Sequence, residues 1–473
     1  MPGYELGALA ALAFGLLLGP VFGLAAARAE PGSPARAFVR AAAVTLALTA
    51  VLLAASLLRA RLGPCDPWFG VPLFLAAALP SALLAPALAV LAAALAPRHP
   101  VRLYAAAAAL SLAATLARAY FGPAASLHDH LLGFWPGPIY DGELVLDRRL
   151  LSFRAATVLL AVAAAALAHA RVRRSRGALT VAALTFGVAV PLHLAGGAAT
   201  RAEIARALGA VREGPGCTVH LPREKPPADA DRLHAECERD VAETAAALGV
   251  AHPPHVTVFA YRSAAEKRRL VGAGETDYTK PWLAEIHLED TAASPHPILR
   301  HEVVHAVASA LAPLPLRIPA RAGILPSGAL LEGLAVALTP RGRWSVHERA
   351  RALRDLGLAP PMSKLLGDAG FFSAPPARAY TAAGSFVRWL LDTRGPIPVA
   401  AAYGHVDLAR AFGTPLPALE AEWNRFLDGI TVAPELRAEA AVRFKDPGLF
   451  GTRCAREVAA RGSPHGTPRA LSR

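Results

Sequence analysis

The chain has 473 residues, 54% of them hydrophobic, and a net charge of +13. This apolar content excludes an ordinary soluble enzyme, and the length suits two or three domains. The positive charge comes mainly from arginines spread along the chain, without a basic stripe. We therefore expect no nucleic-acid partner.

The apolarity is concentrated in the first 198 residues. We predict an all-α membrane region of about six transmembrane helices there, because alanine- and leucine-rich stretches reach or approach the ~20 residues that a spanning helix needs. These stretches are 6–27, 38–58, 69–97, 103–120, 154–170 and 178–198. The third contains Pro72, Pro80 and Pro86, so one kinked helix, a re-entrant segment and two short crossings all remain open.

Arginine-rich loops predict the topology. The loops 28–40, 98–102 and 171–176 are short, and the last holds four arginines in six residues. Such loops are typical of the cytoplasmic side. With six spans, everything after residue 198 then lies outside the cytoplasm. The composition is poor in lysine and rich in arginine, alanine and proline, a pattern that indicates a GC-rich bacterial coding bias. We therefore expect a multi-pass protein of the bacterial inner (cytoplasmic) membrane.

The connection 121–153 falls on the same side as the C-terminal domain in this topology. Its aromatic residues and prolines favour anchoring at the membrane surface, where it would guide substrate. A second metal site at His128, Asp129 and His130 is an alternative. The predicted spans contain no charged cluster of the kind found in transporters, so we expect the membrane region to serve mainly as an anchor.

Residues 199–433 have the pattern of an α+β domain with a mainly helical C-terminal part. We predict strands at 217–221 and 255–261, a helix at 229–249 and an edge strand at 284–289, where apolar and polar residues alternate. Outside the cytoplasm Cys217, Cys237 and Cys454 have three possible pairings, and free thiols are equally open. The tail 434–473 is basic, and we expect it to be partly disordered.

The sequence His-Glu-Val-Val-His occupies positions 301–305. On a helix His301 and His305 lie one turn apart and reach one Zn²⁺ ion. His301, Glu302 and His305 fall within about 100° of arc around the helix axis. Glu302 therefore stands beside the metal, where a general base would deprotonate a zinc-bound water. In a chain with 16 histidines the motif alone is suggestive only.

Glu332 is the candidate for the third ligand that a catalytic zinc site needs. It lies 26 residues after His305 and is the only acidic residue in the apolar segment 328–338. A carboxylate in a buried helix is costly unless it is paired or binds a metal. The alternative is a solvated glutamate near a helix start.

Together these motifs resemble the gluzincin metallopeptidases, especially the peptidase MA-like family. The similarity spans roughly 215–430 and includes a later segment from Tyr380 to Phe386. It implies a peptide or protein substrate, zinc ligands at His301, His305 and Glu332, Glu302 as base, and the edge strand 284–289 aligning the peptide.

The resemblance also implies that Tyr380 donates to the oxyanion, although Tyr261, Tyr278 and Tyr403 are alternatives. Many gluzincins carry an aspartate four residues after the third ligand, where this chain has Val336. Two other functions remain open. One is an intramembrane metalloprotease, and the other is a membrane-tethered sensor or adaptor with a structural or vestigial zinc site.

Overall fold

The computed structural model describes residues 3–60, 68–135, 146–340, 342–367 and 369–445. Cys65, Cys454 and most of the predicted tail lie outside these ranges. The chain divides into two compact units. The first runs to Arg201 and includes the short segment Arg269–Ala273, and the second begins at Ala202.

Within the described residues, the first unit contains six helices that are long and apolar enough to cross a membrane, as predicted. They define a membrane-embedded helical region. Their bounds are Tyr4–Ala29 (α1), Pro34–Ala60 (α2), Val71–Leu95 (α3), Pro100–Phe121 (α4), Arg148–Arg173 (α5) and Arg176–Ala195 (α6).

The proline-containing stretch 69–97 forms one continuous helix, α3, with Pro80 and Pro86 inside it. The re-entrant segment and the two short crossings are therefore excluded. A proline removes the hydrogen bond to the carbonyl four residues earlier, which leaves that carbonyl exposed to lipid or without a partner. Here the Ala76 carbonyl accepts from the Arg154 guanidinium at 2.8 Å, and the Ala82 carbonyl accepts from Thr45 Oγ1 at 2.7 Å. Neighbouring helices thus repair both gaps.

A short hairpin interrupts the all-helical pattern of the first unit. Its strands are Leu127–Asp129 (β1) and Gly133–Trp135 (β2), which pair antiparallel. Between them Leu131 and Leu132 are buried in the same apolar cluster as residues of α3 and α4. The start of the 121–153 connection therefore packs among the helices instead of lying on the membrane surface. Residues 136–145 of the connection fall outside the described residues.

Asp129 acts as the polar centre of this hairpin. Its carboxylate accepts from the amides of Leu131 and Leu132 at 2.8 and 2.7 Å, and from the hydroxyls of Ser111 and Thr115 at 2.8 and 2.9 Å. With its oxygens engaged in this way, Asp129 does not form the alternative metal site with His128 and His130. Within the described ranges, the structure groups no metal-ligating residues there.

One buried cation lies within the predicted spans. Arg154 of α5 is buried, and its guanidinium donates to the carbonyls of Ala76 and Ala77, to Ser81 Oγ and to the Asp129 carbonyl. A buried cation is tolerated where such acceptors surround it. Its role here is structural, because it binds the α3 backbone that Pro80 disrupts.

The second unit begins with a mixed five-stranded sheet of order β3-β4-β5-β7-β6. Strands β4, β5 and β7 are parallel, and the two outer strands β3 and β6 run antiparallel to their neighbours. The strands are Gly209–Glu213 (β3), Cys217–Pro222 (β4), Val256–Tyr261 (β5), Tyr278–Lys280 (β6) and Glu285–Glu289 (β7). The helices among them are Arg201–Leu208 (α7), Pro227–Leu248 (α8) and Ala264–Val271 (α9).

The predicted edge strand 284–289 is an interior strand, because β6 lies beyond β7. Its alternation does not reflect solvent, since Glu285 and His287 are both buried. His287 Nε2 is 2.8 Å from Glu285 Oε1, and the Tyr261 hydroxyl is 2.8 Å from His287 Nδ1. The polar residues of β7 thus face a buried hydrogen-bond network. The edge strand on this side of the sheet is β6, and β3 forms the opposite edge.

A helical layer completes the second unit and confirms the mainly helical C-terminal part. It begins with Leu299–Ala308 (α10), which is followed by a small hairpin of Ala320–Arg321 (β8) and Leu325–Pro326 (β9). The remaining helices are Gly328–Leu338 (α11), Val346–Asp355 (α12), Met362–Leu365 (α13), Gly370–Ser373 (α14), Pro376–Arg394 (α15), Pro396–His405 (α16), Leu408–Phe412 (α17), Leu416–Asp428 (α18) and Pro434–Arg443 (α19).

A disulfide joins Cys217 at the start of β4 to Cys237 in α8. It selects one of the pairings that the sequence left open and excludes free thiols at these two positions. Disulfides persist mainly in oxidising compartments.

Candidate metal centre

Helix α10 carries the His-Glu-Val-Val-His motif and is buried on two sides. Leu299, Val303 and Val307 pack with the sheet and α8, whereas Val304 and Ala308 pack with the helical layer. The apolar residues at helical spacing therefore fix how α10 rotates about its axis. His301 and His305 are left on the remaining face.

The side chain of His296 caps the start of α10. Its Nδ1 atom accepts from the amides of Ile298 and Leu299 at 3.2 and 3.1 Å, two of the donors that a helix start leaves without partners. Its Nε2 atom is 3.1 Å from the Glu289 carbonyl at the end of β7, and its own amide donates to Glu236 Oε2 of α8 at 2.8 Å. His296 thus connects the motif helix to the sheet and to α8.

The three predicted ligands come together. His301 Nε2 lies 3.3 Å from Glu332 Oε2, and His305 Nε2 lies 3.5 Å from the same oxygen. One ligand atom from each residue lies within 4.8 Å of the others, and the two imidazole planes are 86° apart. Two imidazoles and one carboxylate are a donor set that suits zinc and leaves a fourth position open. The residues present fit that metal.

Close packing of α11 on α15 brings Glu332 to this point. A Cβ atom added at Gly333 would lie 3.0 Å from the Ala383 carbonyl, and one added at Gly384 would lie 2.2 Å from Val336 Cγ1. The two glycines therefore allow the helices to approach. Val336 packs against α15 at this contact, which explains why no acidic residue occupies that position.

Charge interactions support the ligand set. Burial alone would raise the Glu332 pKa, but His305 and His301 together hold the pKa of this carboxyl well below its usual range. For His305, burial lowers the pKa, and the Glu332 carboxylate more than offsets this effect, so that the His305 pKa is raised. An ionised carboxylate therefore lies against two imidazoles in a buried site.

Among the described residues, the two imidazoles have no outer hydrogen-bond partner. His301 Nδ1 and His305 Nδ1 are buried, and neither bonds to any group in the described parts of the chain. No described residue takes the place of the aspartate that many gluzincins carry at the position of Val336. Metal-binding histidines almost always donate their second nitrogen to such a partner, so this centre departs from the usual arrangement.

Glu302 is buried beside the ligands and does not join them. Thr279 of β6 donates its hydroxyl to Glu302 Oε2 at 2.8 Å, with the Glu302 carbonyl 3.1 Å from the same hydroxyl. Sequence reasoning missed Thr279 because nothing in a three-residue strand marks it. For His296, the sequence Pro-His-Pro at positions 295–297 could have indicated a helix start just before the motif.

Two of the four candidate tyrosines lie on one face of the sheet, and the other two lie in the helical layer. Tyr261 is bonded to His287, and Tyr278 stacks on the same ring, so both face the buried network away from α10. Tyr380 is partly buried, with its ring centroid 5.2 Å from that of Phe371. Tyr403 of α16 is fully buried, and its hydroxyl has no partner in the described residues.

Tyr403 is linked to the metal centre by electrostatics. Burial and the Glu332 carboxylate both raise the pKa of its hydroxyl, so the hydroxyl keeps its proton and remains a donor. Helix α16 also packs closely against the turn that follows α10, since a Cβ atom added at Gly404 would lie 2.5 Å from the Leu311 carbonyl. Tyr403 is therefore an alternative to Tyr380 as an oxyanion donor.

Comparison of the chain with protein-family models, with curated proteins and with solved structures yields no match.

Proposed function

We propose that this chain is a membrane-anchored, zinc-dependent metallopeptidase of the gluzincin type that hydrolyses peptide bonds in a protein or peptide substrate. The observation that carries the proposal is the convergence of His301, His305 and Glu332, with the buried carboxylate of Glu302 next to them. A purely structural zinc site has no use for such a carboxylate. Zinc held by the three residues would supply Lewis-acid chemistry, which makes water acidic enough to lose a proton near neutral pH and so become a nucleophile for a carbonyl.

The chain's own residues would move the protons. Glu302 accepts the proton of the attacking water and passes it to the leaving amine. A tyrosine hydroxyl donates to the oxyanion that forms at the attacked carbonyl, and Tyr380 and Tyr403 are the two candidates. The partner strand for an extended peptide is β6, in place of the predicted 284–289, because β6 is the edge strand that contacts Glu302.

We further propose the bacterial inner membrane as the location, with the second unit outside the cytoplasm. Six helices, an even number, return the chain to the side on which it started. The arginine-rich loops favour the cytoplasm for the opposite ends of these helices. The Cys217–Cys237 disulfide supports an oxidising compartment for the second unit.

A sensor or adaptor with a structural or vestigial zinc site is the second candidate. The observation in its favour is that the buried Nδ1 atoms of His301 and His305 have no partner in the part of the chain that the structure describes. A missing outer partner typically costs ~10–100-fold in metal affinity or activity. An intramembrane metalloprotease is disfavoured, because the motif helix α10 is short and is not among the six candidate spans.

The test is to purify the full chain in detergent and to measure bound zinc per chain for the wild type and for Glu332→Ala. We expect about one zinc in the wild type and a loss of most of it in the variant. A control, Glu243→Gln, changes an exposed glutamate that pairs with Arg300 and should leave zinc binding intact. A folded wild type without zinc would refute the peptidase proposal.

A further inference from the structure

Thr279 lies between the edge of the sheet and the candidate general base. Its hydroxyl donates to Glu302 Oε2 at 2.8 Å. Among the residues that the structure describes, it is the only hydrogen-bond donor to that carboxylate. Because Glu302 is buried, no solvent replaces this bond, and the Thr279 hydroxyl decides which way the carboxylate points.

The hydrogen bonds of the neighbouring strands reveal where the main chain of β6 points. The Thr257 amide of β5 donates to the Ala284 carbonyl at 2.9 Å, and the Asp290 amide donates to the Tyr261 carbonyl at 2.7 Å. In the register of β5 and β7, this places the amides and carbonyls of the even-numbered β7 residues toward β5. Successive residues of a strand alternate, so the odd-numbered residues turn theirs toward β6.

Glu285 and His287 therefore form the hydrogen-bonded pairs with Lys280 and Tyr278 of β6. Thr279 lies between Tyr278 and Lys280, so it turns its own amide and carbonyl away from the sheet. No main-chain group in the described ranges bonds to them outside the ladder. One residue thus presents free main-chain groups at the edge, while its side chain holds Glu302.

We propose that Thr279 is a positioning residue that couples docking of the substrate to the orientation of the general base. An extended, unfolded stretch of polypeptide pairs with the Thr279 amide and carbonyl, and the hydroxyl of the same residue keeps Glu302 directed at the reacting centre. Main-chain pairing requires no particular side chain, so the substrate class is unfolded protein segments, cut internally. This inference rests on the proposed peptidase function.

The two halves of the proposal respond to different substitutions. Thr279→Val removes the hydroxyl and keeps the shape and the main chain, so Glu302 loses its orientation. This should lower kcat by up to ~100-fold, the effect of displacing a catalytic group by about 1 Å, and leave KM unchanged. Thr279→Ser keeps the hydroxyl and should restore most of kcat. Thr279→Pro also removes the amide hydrogen, which faces away from the ladder, so the strand tolerates it while KM rises.

The experiment uses the full chain in lipid nanodiscs at equal zinc content, with reduced, carboxymethylated casein carrying fluorescein as the probe. Hydrolysis gives kcat and KM for the wild type and the three variants. Hydrogen exchange gives a second readout that does not require turnover. In a Glu302→Gln background, bound casein should protect the main-chain amide at position 279 from exchange. The protection should be the same when Thr279→Val is added.

The outcomes separate the two levels of the proposal. Wild type that binds zinc but does not cleave casein would overturn the proposed function and this inference together. Cleavage by the wild type with an equal kcat for Thr279→Val would overturn the role of Thr279 alone. Loss of zinc in Thr279→Val would also overturn it, since the residue would then act on the fold. A lower kcat at constant KM and constant zinc content, rescued by serine, supports it.

Discussion

Each unit of this protein contains a carboxylate among apolar helices, and the two are treated very differently. In the first unit Asp129 accepts hydrogen bonds from two amides and two hydroxyls. In the second unit the contacts of Glu332 within the described chain are with two imidazoles, His301 and His305. Beyond those imidazoles the hydrogen bonding stops, since both Nδ1 atoms are buried without a partner there.

This difference separates a structural polar group from a functional one. A buried polar group without a partner costs about 1–3 kcal/mol. Asp129 and its donors avoid this cost, as expected of groups that hold a hairpin in place. The centre around Glu332 leaves His301, His305 and the Tyr403 hydroxyl incompletely bonded within the described ranges. Such a cost is usual where a site is arranged for a ligand or a reaction.

The largest expected effect concerns Glu302. Glu302→Gln keeps the size of the side chain and removes its ability to take a proton, so hydrolysis of casein should fall by ~10²–10⁴-fold. Bound zinc, measured on the same sample, should stay at the wild-type level because Glu302 is not among the grouped ligands. Retained turnover would show that Glu302 is not the general base and would favour a structural role for the centre of the second unit.

The next effect concerns Asp129. Asp129→Ala leaves two amides and two hydroxyls of the first unit without their acceptor, so we expect the free energy of unfolding to fall by about 3 kcal/mol. Denaturation in mixed detergent micelles would measure it, with the exposed Asp231→Ala as a control. Zinc content should not change. Lost zinc with unchanged stability would reverse the roles that we assign to the two carboxylates.

The parts of the fold that the sequence predicts are those set by local spacing. Six apolar stretches of sufficient length predict six helices, and all six are found. The pairing of His301 and His305 needs only one helical turn, and Glu332 joins them as the burial argument predicted. Arg154 shows the limit. Its acceptor, the Ala76 carbonyl, is freed by Pro80 and lies 78 residues away in sequence, and no local pattern predicts that contact.

The edge strand shows a second limit. Alternation of apolar and polar residues indicates two different faces, but it does not reveal whether the polar face meets water or a buried network. In β7 it meets the network of His287 and Tyr261. The true edge, β6, has three residues and carries no pattern at all. Thr279 and its contact with Glu302 were therefore beyond the reach of sequence reasoning.

A smaller effect, on the free energy of unfolding, is expected when His296 is replaced. His296 forms hydrogen bonds at the start of α10, whereas the Nδ1 atoms of His301 and His305 further along the helix have no partner in the described residues. His296→Ala removes the acceptor at the helix start and should cost about 1 kcal/mol. Burial lowers the His296 pKa below that of the unfolded chain. Its stabilising effect is therefore fully present above the ordinary histidine pKa of about 6.5 and is lost as pH falls through the lowered value.

The pH dependence of unfolding measures this contribution. The wild type should lose stability as pH falls below about 6.5, and His296→Ala should lose less over the same interval. The exposed His252 supplies a control, because His252→Ala should retain the wild-type dependence. An unchanged slope in His296→Ala would show that the cap does not tie the helix start to proton binding.

The smallest effect concerns the two tyrosines. Tyr403→Phe removes a buried hydroxyl that has no partner in the described residues, so metal-free protein should lose no stability and can gain about 1 kcal/mol. In the zinc-loaded protein the same change should lower kcat if this hydroxyl donates to the oxyanion, and Tyr380→Phe should then leave kcat unchanged. A loss of kcat in Tyr380→Phe alone would restore the residue that the resemblance indicates. A gain in stability without any loss of turnover would mean that the unsatisfied hydroxyl serves neither the fold nor the reaction, so that incomplete bonding by itself does not identify a functional group.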